Sequence, residues 1–169
     1  MKTKSDYRTL SLIALLCVSM LSLACGCSHQ AQKPAPAPAP TAEPTLYERL
    51  GGAPAIAMVV DDIIERAYVD PVFVANQKIH SAHMRFPKPI YKFNATCLAC
   101  QAFGGPKIYM GRSMKDAHWH LNIHETEWQA LIKIFRDSMT SFKVPAKEQD
   151  EVLAIIESTK GDIVHPATE

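Results

Sequence analysis

The chain has 169 residues, of which 47% are apolar and 21% are charged. These values exclude a wholly disordered chain, because disordered chains are poor in apolar residues. The formal net charge of +1 provides no basic face, so we expect no nucleic-acid partner.

The N-terminus has the pattern of an export signal. Basic residues precede an apolar run over residues 10–24, which is shorter than the roughly 20 residues of a membrane span and matches the apolar centre of a secretory signal. Cys25 follows Ala24, and this exit resembles a bacterial lipoprotein signal, in which the cysteine is acylated. Cys27 is a second candidate for acylation. Uncleaved anchoring and simple secretion are the alternatives.

Residues 25–44 are predicted to be a tether between this signal and a domain. Five prolines lie between residues 34 and 44, and alternating Pro and Ala favour the extended polyproline II conformation. We therefore divide the chain into a signal peptide (residues 1–24), a Pro/Ala-rich tether (25–44) and one domain (45–169) in the cell envelope.

The domain begins with helix signals. Thr45 and Glu48 form a capping box, and Gly51-Gly52 end this short helix. Apolar residues then recur at helical spacing from residue 54 to residue 69, where Asp70-Pro71 breaks the pattern.

The rest of the domain also favours helices. Residues 72–89 show no regular pattern, whereas helices are predicted over residues 89–103, 113–121 and 123–142 and after Pro145. No segment shows the alternation of apolar and polar residues that is typical of a β-strand. The sequence therefore predicts an all-α domain of five or six helices.

Cys97 and Cys100 are two residues apart in the manner of a redox or metal-binding pair. Covalent c-type haem attachment requires histidine where Gln101 stands, a thioredoxin-like pair requires a βαβ context, and zinc requires a second ligand pair. Packing of small side chains on a buried helix face is the main interpretation. A disulfide in an oxidising compartment, or a redox role, is the alternative.

Three histidines lie within seven residues, but their spacing does not bring them together on one zinc ion. On a helix His118 shares a face with Met114 and Leu121, whereas His120 points roughly opposite and His124 lies past the helix end. His118 is therefore predicted to face an apolar space suited to a flat apolar ligand. The alternative is a structural histidine.

Several segments match one family in the same order along the chain. They are residues 45–52, Gly104-Gly105-Pro106, Tyr109, residues 111–118, residues 121–123 and Trp128. Together they resemble the group 1 truncated haemoglobins over about residues 45–164.

The resemblance implies a two-over-two helical sandwich around haem b, with His118 as the proximal iron ligand. By the same resemblance, Met114, Ile123 and Trp128 line the haem, and Tyr109 and Lys92 lie near its propionates. The implied function is reversible binding of a diatomic gas, oxygen or nitric oxide. Nitric oxide dioxygenation with an external reductase is the alternative, since the sequence contains no flavin or nicotinamide domain. A haem-free interaction lipoprotein is a further rival.

The sequence departs from the family on the distal side. Many relatives carry Phe-Tyr in the second helix, where this chain has Ile63-Ile64, and often carry glutamine on the distal helix, where it has Tyr91 and Ala95. By the resemblance, Tyr91 takes the position that faces the gas. The alternative is that its ring packs against the haem edge while its hydroxyl points to solvent.

The segment between these helices is longer than is usual in the family. Phe73 and Phe86 are the candidates for the phenylalanine that stacks on the haem, and His80 and His83 are candidates for a sixth iron ligand.

We expect residues 1–24 to be absent from the mature protein and Cys25 to carry the lipid. Attachment by one acyl chain is marginal, so a stable anchor requires more than one chain. Mass spectrometry of the mature protein checks this expectation, and an intact, unlipidated N-terminus would contradict it.

Overall fold

A computed structural model of the protein describes residues 43–166. The predicted signal peptide, the acylation site Cys25 and residues 25–42 of the tether lie outside this range. Among the described helices, none has both the length and the apolar character needed to cross a membrane.

The described residues fold into nine α-helices and one 3-10 turn, which confirms the all-α class. In chain order they are α1 (Leu46–Arg49), α2 (Gly52–Val69), α3 (Pro71–Ala75), α4 (Gln77–Arg85), α5 (Lys88–Ala102), α6 (Met114–His118), the 3-10 turn (Trp119–Leu121), α7 (Glu125–Ser141), α8 (Ala146–Ser158) and α9 (Lys160–Ile163). The sequence predicts five or six helices, so the described residues form more and shorter helices than the spacing of apolar residues indicates.

The main difference lies in residues 72–89, where no regular structure was expected. Two capped helices, α3 and α4, occupy most of this segment. The Asp70 carboxylate accepts a hydrogen bond from the Val72 N–H at 2.9 Å, with Pro71 in the first turn. Asn76 Oδ1 accepts from the N–H groups of Lys78 and Ile79. Asp70-Pro71 therefore starts a new helix as well as ending α2.

Helix α1 is closed by the predicted capping box and docks on the end of α5. The Thr45 hydroxyl accepts from the Glu48 N–H, and the Glu48 carboxylate accepts from the Thr45 N–H at 2.8 Å. The Tyr47 N–H donates to the Phe103 carbonyl at 2.8 Å, which places the Tyr47 ring against Gly105. The two glycine-containing motifs of the sequence are thus brought together.

Helix α2 is the central helix, because it packs against both α5 and α7, while α7 packs in turn against α8. These two helix pairs form the predicted two-over-two sandwich. Its core includes residues buried to at least nine-tenths on α2, α7 and α8: Ile56, Ile63, Trp128, Ile132, Ile134, Met139, Val152 and Leu153.

The C-terminal segment fastens the residues that follow α6. Helix α9 packs against α6, Ile123 and Val164 form an isolated parallel β-bridge, and the His165 N–H donates to the Ile123 carbonyl at 2.8 Å. Ile123 is consequently held in place by backbone pairing just after His118.

We expect Gly105→Ala to lower the free energy of unfolding by about 1–3 kcal/mol, because overpacking of this kind forces neighbouring groups to move. A methyl group at this position would lie 2.6 Å from Tyr47 Cδ2 and 2.7 Å from the Cys100 carbonyl oxygen. Equilibrium denaturant unfolding measures the effect.

The matched control is Gly161→Ala in α9, where an added methyl group has no neighbour within 4 Å. This substitution is expected to raise the free energy of unfolding by about 0.4–1 kcal/mol, because alanine lowers the conformational entropy of the unfolded chain. Equal stability of the two variants would contradict the assigned role of Gly105.

Candidate functional site

A large cavity of about 1170 Å³ lies among α2, α4, α5, α6 and α7, and most of its wall is apolar. Six of the predicted site residues line it: Tyr91, Tyr109, Met114, His118, Ile123 and Trp128. The structure therefore brings together side chains from three helices and two loops that are far apart in the sequence.

His118 is the best-placed metal ligand of the cavity wall. Its Nδ1 lies 2.8 Å from the Met114 carbonyl oxygen, one helical turn earlier. Since a carbonyl can only accept, Nδ1 carries the proton and the lone pair is on Nε2. Burial lowers the pKa of His118 from its usual value, despite the opposing effect of the Met114 hydrogen bond. The imidazole is thus neutral at neutral pH and able to bind a metal.

The apolar residues predicted around His118 lie where the resemblance implies. Met114 is half-buried on the same helix face, and Ile123 is only 8% exposed. Trp128 is completely buried, and its indole N–H donates to the Glu157 carboxylate at 3.3 Å. This donor is therefore satisfied away from the cavity, which leaves the apolar part of the indole as the cavity wall.

The position of His120 differs from the sequence-based expectation. A continuous helix would point His120 away from His118, but α6 ends at His118 and a 3-10 turn follows. The tighter turn changes the angular relation of the two residues. His120 is exposed, and it lies at the edge of the same cavity.

His80, a candidate for the sixth iron ligand, is exposed and does not line the cavity. Lys92 does not line it either. Its ammonium is bonded to the Asp61 carboxylate and, at 2.6 Å, to that of Glu65, and these hydrogen bonds raise its pKa. Its role near the propionates stays a prediction.

Arg85 and Arg112, both exposed, line the cavity instead and supply positive charge at its edge. Arg112 lies within residues 111–118, one of the segments that resemble the family. That position was the sequence signal that could have identified it as a cavity residue.

Tyrosine and histidine side chains occupy the wall formed by α2, α4 and α5. Ile64 is buried and lines the cavity as expected, and so does Tyr91, whose pKa is raised by burial. Tyr68 and His83 line the same wall, with stacked rings whose centroids are 4.0 Å apart. Tyr68 is not among the residues predicted from the sequence, although its position one helical turn after Ile64 is a usable signal.

Cys97 and Cys100 are free thiols on α5 and are buried. Neither lines the cavity, and burial raises the pKa of Cys100. A protonated, buried thiol has little reactivity, so the geometry supports packing as the role of this pair.

Comparison with known proteins identifies the family. The bacterial-like globins match residues 45–165. The group 1 truncated hemoglobin GlbN of Nostoc commune is 30% identical over 125 residues, which cover 72% of this chain and 98% of that protein. This chain belongs to the bacterial-like globin family. A further relative, GlbN of Mycolicibacterium paratuberculosis, is 28% identical over 116 residues, covering 68% of this globin and 81% of the relative.

Solved structures confirm the fold of the globin. The truncated hemoglobin of Tetrahymena pyriformis in its Fe(III) form superposes with a TM-score of 0.62 at 22% identity, covering 73% of this chain and 100% of that one. The 2/2 hemoglobin of Synechococcus gives a TM-score of 0.61 at 23% identity and coverages of 72% and 98%. These similarities establish the two-over-two arrangement predicted from the sequence.

The cavity of this globin fits a haem in its size, polarity and donor chemistry. Its walls are apolar, as a flat macrocycle requires, and a neutral imidazole from α6 presents the nitrogen that haem iron binds. Phe73, which is 6% exposed, is one of the aromatic residues in the wall. The two arginines at the edge have the charge that propionates need.

We expect His118→Ala to abolish stoichiometric haem uptake or to leave the haem loosely held, since the iron–imidazole bond is lost. Haem titration followed by absorbance measures the uptake. His124→Ala is the control, because His124 Nε2 is paired with the Asn122 amide at 2.8 Å and does not line the cavity. Full retention with an unchanged spectrum in His118→Ala would overturn the assignment.

Proposed function

We propose that this globin binds haem b through His118 and reversibly binds a diatomic gas on the side formed by α2 and α5. The observation that carries the proposal is the His118 imidazole in the apolar cavity, neutral and fixed in one tautomer by the Met114 carbonyl. When bound, haem supplies an iron with a free coordination position for the gas.

Family membership supports the same function, because the group 1 truncated hemoglobin of Nostoc commune is a hemoglobin by name. The residues of this chain then have separate roles. His118 holds the iron, the apolar residues of α2 and α7 exclude water, and Tyr91 offers a hydroxyl donor on the side of the gas.

The visible spectrum of the purified protein tests the proposal. A Soret band after haem addition, shifted by oxygen and by carbon monoxide, is the expected result. A spectrum without this band would contradict haem binding and favour a haem-free interaction protein. Thiol-dependent activity without haem would instead favour a redox role of Cys97 and Cys100.

Turnover of nitric oxide is the second candidate. Turnover requires an electron donor in addition to gas binding, and we propose that this donor is a separate reductase. Consumption of nitric oxide by the oxygenated protein with a chemical reductant, with more than one turnover per haem, is the test.

We further propose that the globin acts in the cell envelope, on the periplasmic or outer surface, held by a lipid on Cys25 or Cys27. The support is the basic, apolar and cysteine-ended pattern of the first 25 residues, followed by prolines. Fractionation of cells that produce the full chain and its Cys25→Ala and Cys27→Ala variants tests the location. Release from the membrane fraction is expected when the acylated cysteine is replaced.

We expect Tyr91→Phe to speed oxygen dissociation about 10- to 100-fold. A hydrogen bond to a partly charged acceptor contributes about 1.5–3 kcal/mol, and each ~1.4 kcal/mol is a tenfold change. Carbon monoxide is a much poorer acceptor, so its dissociation is expected to stay nearly unchanged.

Stopped-flow displacement of both gases measures the two rates. If Tyr91→Phe changes neither the oxygen dissociation nor the resting spectrum, the hydroxyl has no distal role and the ring acts only by packing.

A further inference from the structure

The Tyr68 hydroxyl has an unusual environment. Its oxygen is buried and has no hydrogen-bond partner within residues 43–166, although the side chain lines the haem cavity. Buried polar groups are nearly always paired, because an unpaired one loses its hydrogen bonds to water without replacement. The missing partner is therefore expected among the molecules that occupy the cavity.

The position of Tyr68 on α2 connects this hydroxyl to the distal side. Tyr68 follows Ile64 by one helical turn, so both residues lie on the same face of the helix and both line the cavity. Helical side chains lean toward the N-terminus, over the preceding turn. The phenol at position 68 is thereby directed toward the turn of Ile64, which has no donor of its own.

Side chains from two other helices hold the Tyr68 ring. The His83 ring of α4 stacks on it with centroids 4.0 Å apart and an interplanar angle of 6°. The Tyr91 ring of α5 lies 6.4 Å away, and Lys88 Nζ lies 4.4 Å from the Tyr68 ring centroid. A donor fixed by its surroundings loses little conformational freedom when it binds a ligand.

The phenol is also in the protonation state that donates. Burial raises the pKa of Tyr68 above its usual value, and the nearby Lys88 charge offsets only part of this effect. The hydroxyl therefore keeps its proton at physiological pH.

We propose that Tyr68 is a specificity-determining residue, whose hydroxyl donates a hydrogen bond to the gas and favours oxygen over carbon monoxide. His83 is a positioning residue that holds the Tyr68 ring by stacking. The inference rests on the proposed function, since it requires haem and a gas in the cavity.

The first test is Tyr68→Phe in the full chain loaded with haem, which removes the hydroxyl and keeps the ring. Oxygen dissociation is expected to become about 10-fold faster, because one charge-assisted hydrogen bond to the bound oxygen is lost. Carbon monoxide dissociation is expected to stay unchanged. The infrared C–O stretching frequency of the carbon monoxide complex is a second readout, independent of oxygen kinetics, and is expected to shift because the nearby O–H dipole is lost.

Tyr47→Phe is the matched control. Tyr47 is also a half-buried tyrosine, but its hydroxyl accepts from the Ala53 N–H at 3.2 Å and it does not line the cavity. Loss of the Tyr47 hydroxyl is expected to leave the dissociation rates of both gases and the C–O frequency unchanged. Misfolding is not expected in Tyr68→Phe, because the substitution removes a group that has no partner in the protein.

Two substitutions of His83 separate stacking from imidazole chemistry. His83→Phe retains an aromatic ring against Tyr68 and is expected to keep the wild-type oxygen rate. His83→Ala removes the ring and is expected to approach the rate of Tyr68→Phe. Equal acceleration in both variants would show that the imidazole itself acts, and would overturn the positioning role.

Unchanged oxygen dissociation and an unchanged C–O frequency in Tyr68→Phe would contradict this inference alone, since the protein would still hold haem and gas. Wild-type protein that takes up no haem would contradict the proposed function as well. A low-spin ferrous spectrum without gas that disappears in His83→Phe would identify His83 as an iron ligand and overturn its role at Tyr68.

Discussion

A large apolar cavity occupies the place where a domain of this size would normally have its best-packed core. Protein interiors are close-packed, so a cavity of about 1170 Å³ lined mainly by apolar side chains is a site for a large apolar ligand. Contacts between helices at the margins of the cavity position the residues that line it.

Those marginal contacts connect helices that are distant in sequence. Arg49 of α1 is bonded to Glu148 and Glu151 of α8, with 3.1 Å to Glu148. Each such partly exposed ion pair contributes little, typically less than about 1 kcal/mol. The amide of Asn76, the residue that caps α4, adds a hydrogen bond to the Glu127 carboxylate of α7 at 2.9 Å. These contacts involve α4, α7 and α8, all of which contribute residues to the cavity wall.

The two walls of the cavity differ in chemistry. The α6 wall presents one imidazole whose tautomer is set by its own helix, which suits a permanent iron ligand. The opposite wall has Ile64 in place of the usual donor, and it presents the phenols of Tyr68 and Tyr91 beside His83. A hydroxyl donates to a polar gas without competing strongly for the iron. The wall opposite His118 therefore offers two phenol hydroxyls, one from a residue one turn after Ile64 and one from another helix.

The sequence alone determined the elements that depend on local chemistry: the Thr45–Glu48 capping box, the glycine-ended helices, the all-α class and the helix face that His118 shares with Met114. These features rest on neighbours within a few residues, where helical spacing and caps apply. The helices of residues 72–89 were not predicted because their apolar residues show no regular spacing, although Asp70 and Asn76 cap them through local hydrogen bonds. Only the tertiary structure decided that Lys92 pairs with Asp61 and Glu65, that His120 reaches the cavity edge, and that Tyr68 is buried beside His83. Those outcomes depend on which helices pack together, and no spacing along the chain encodes that.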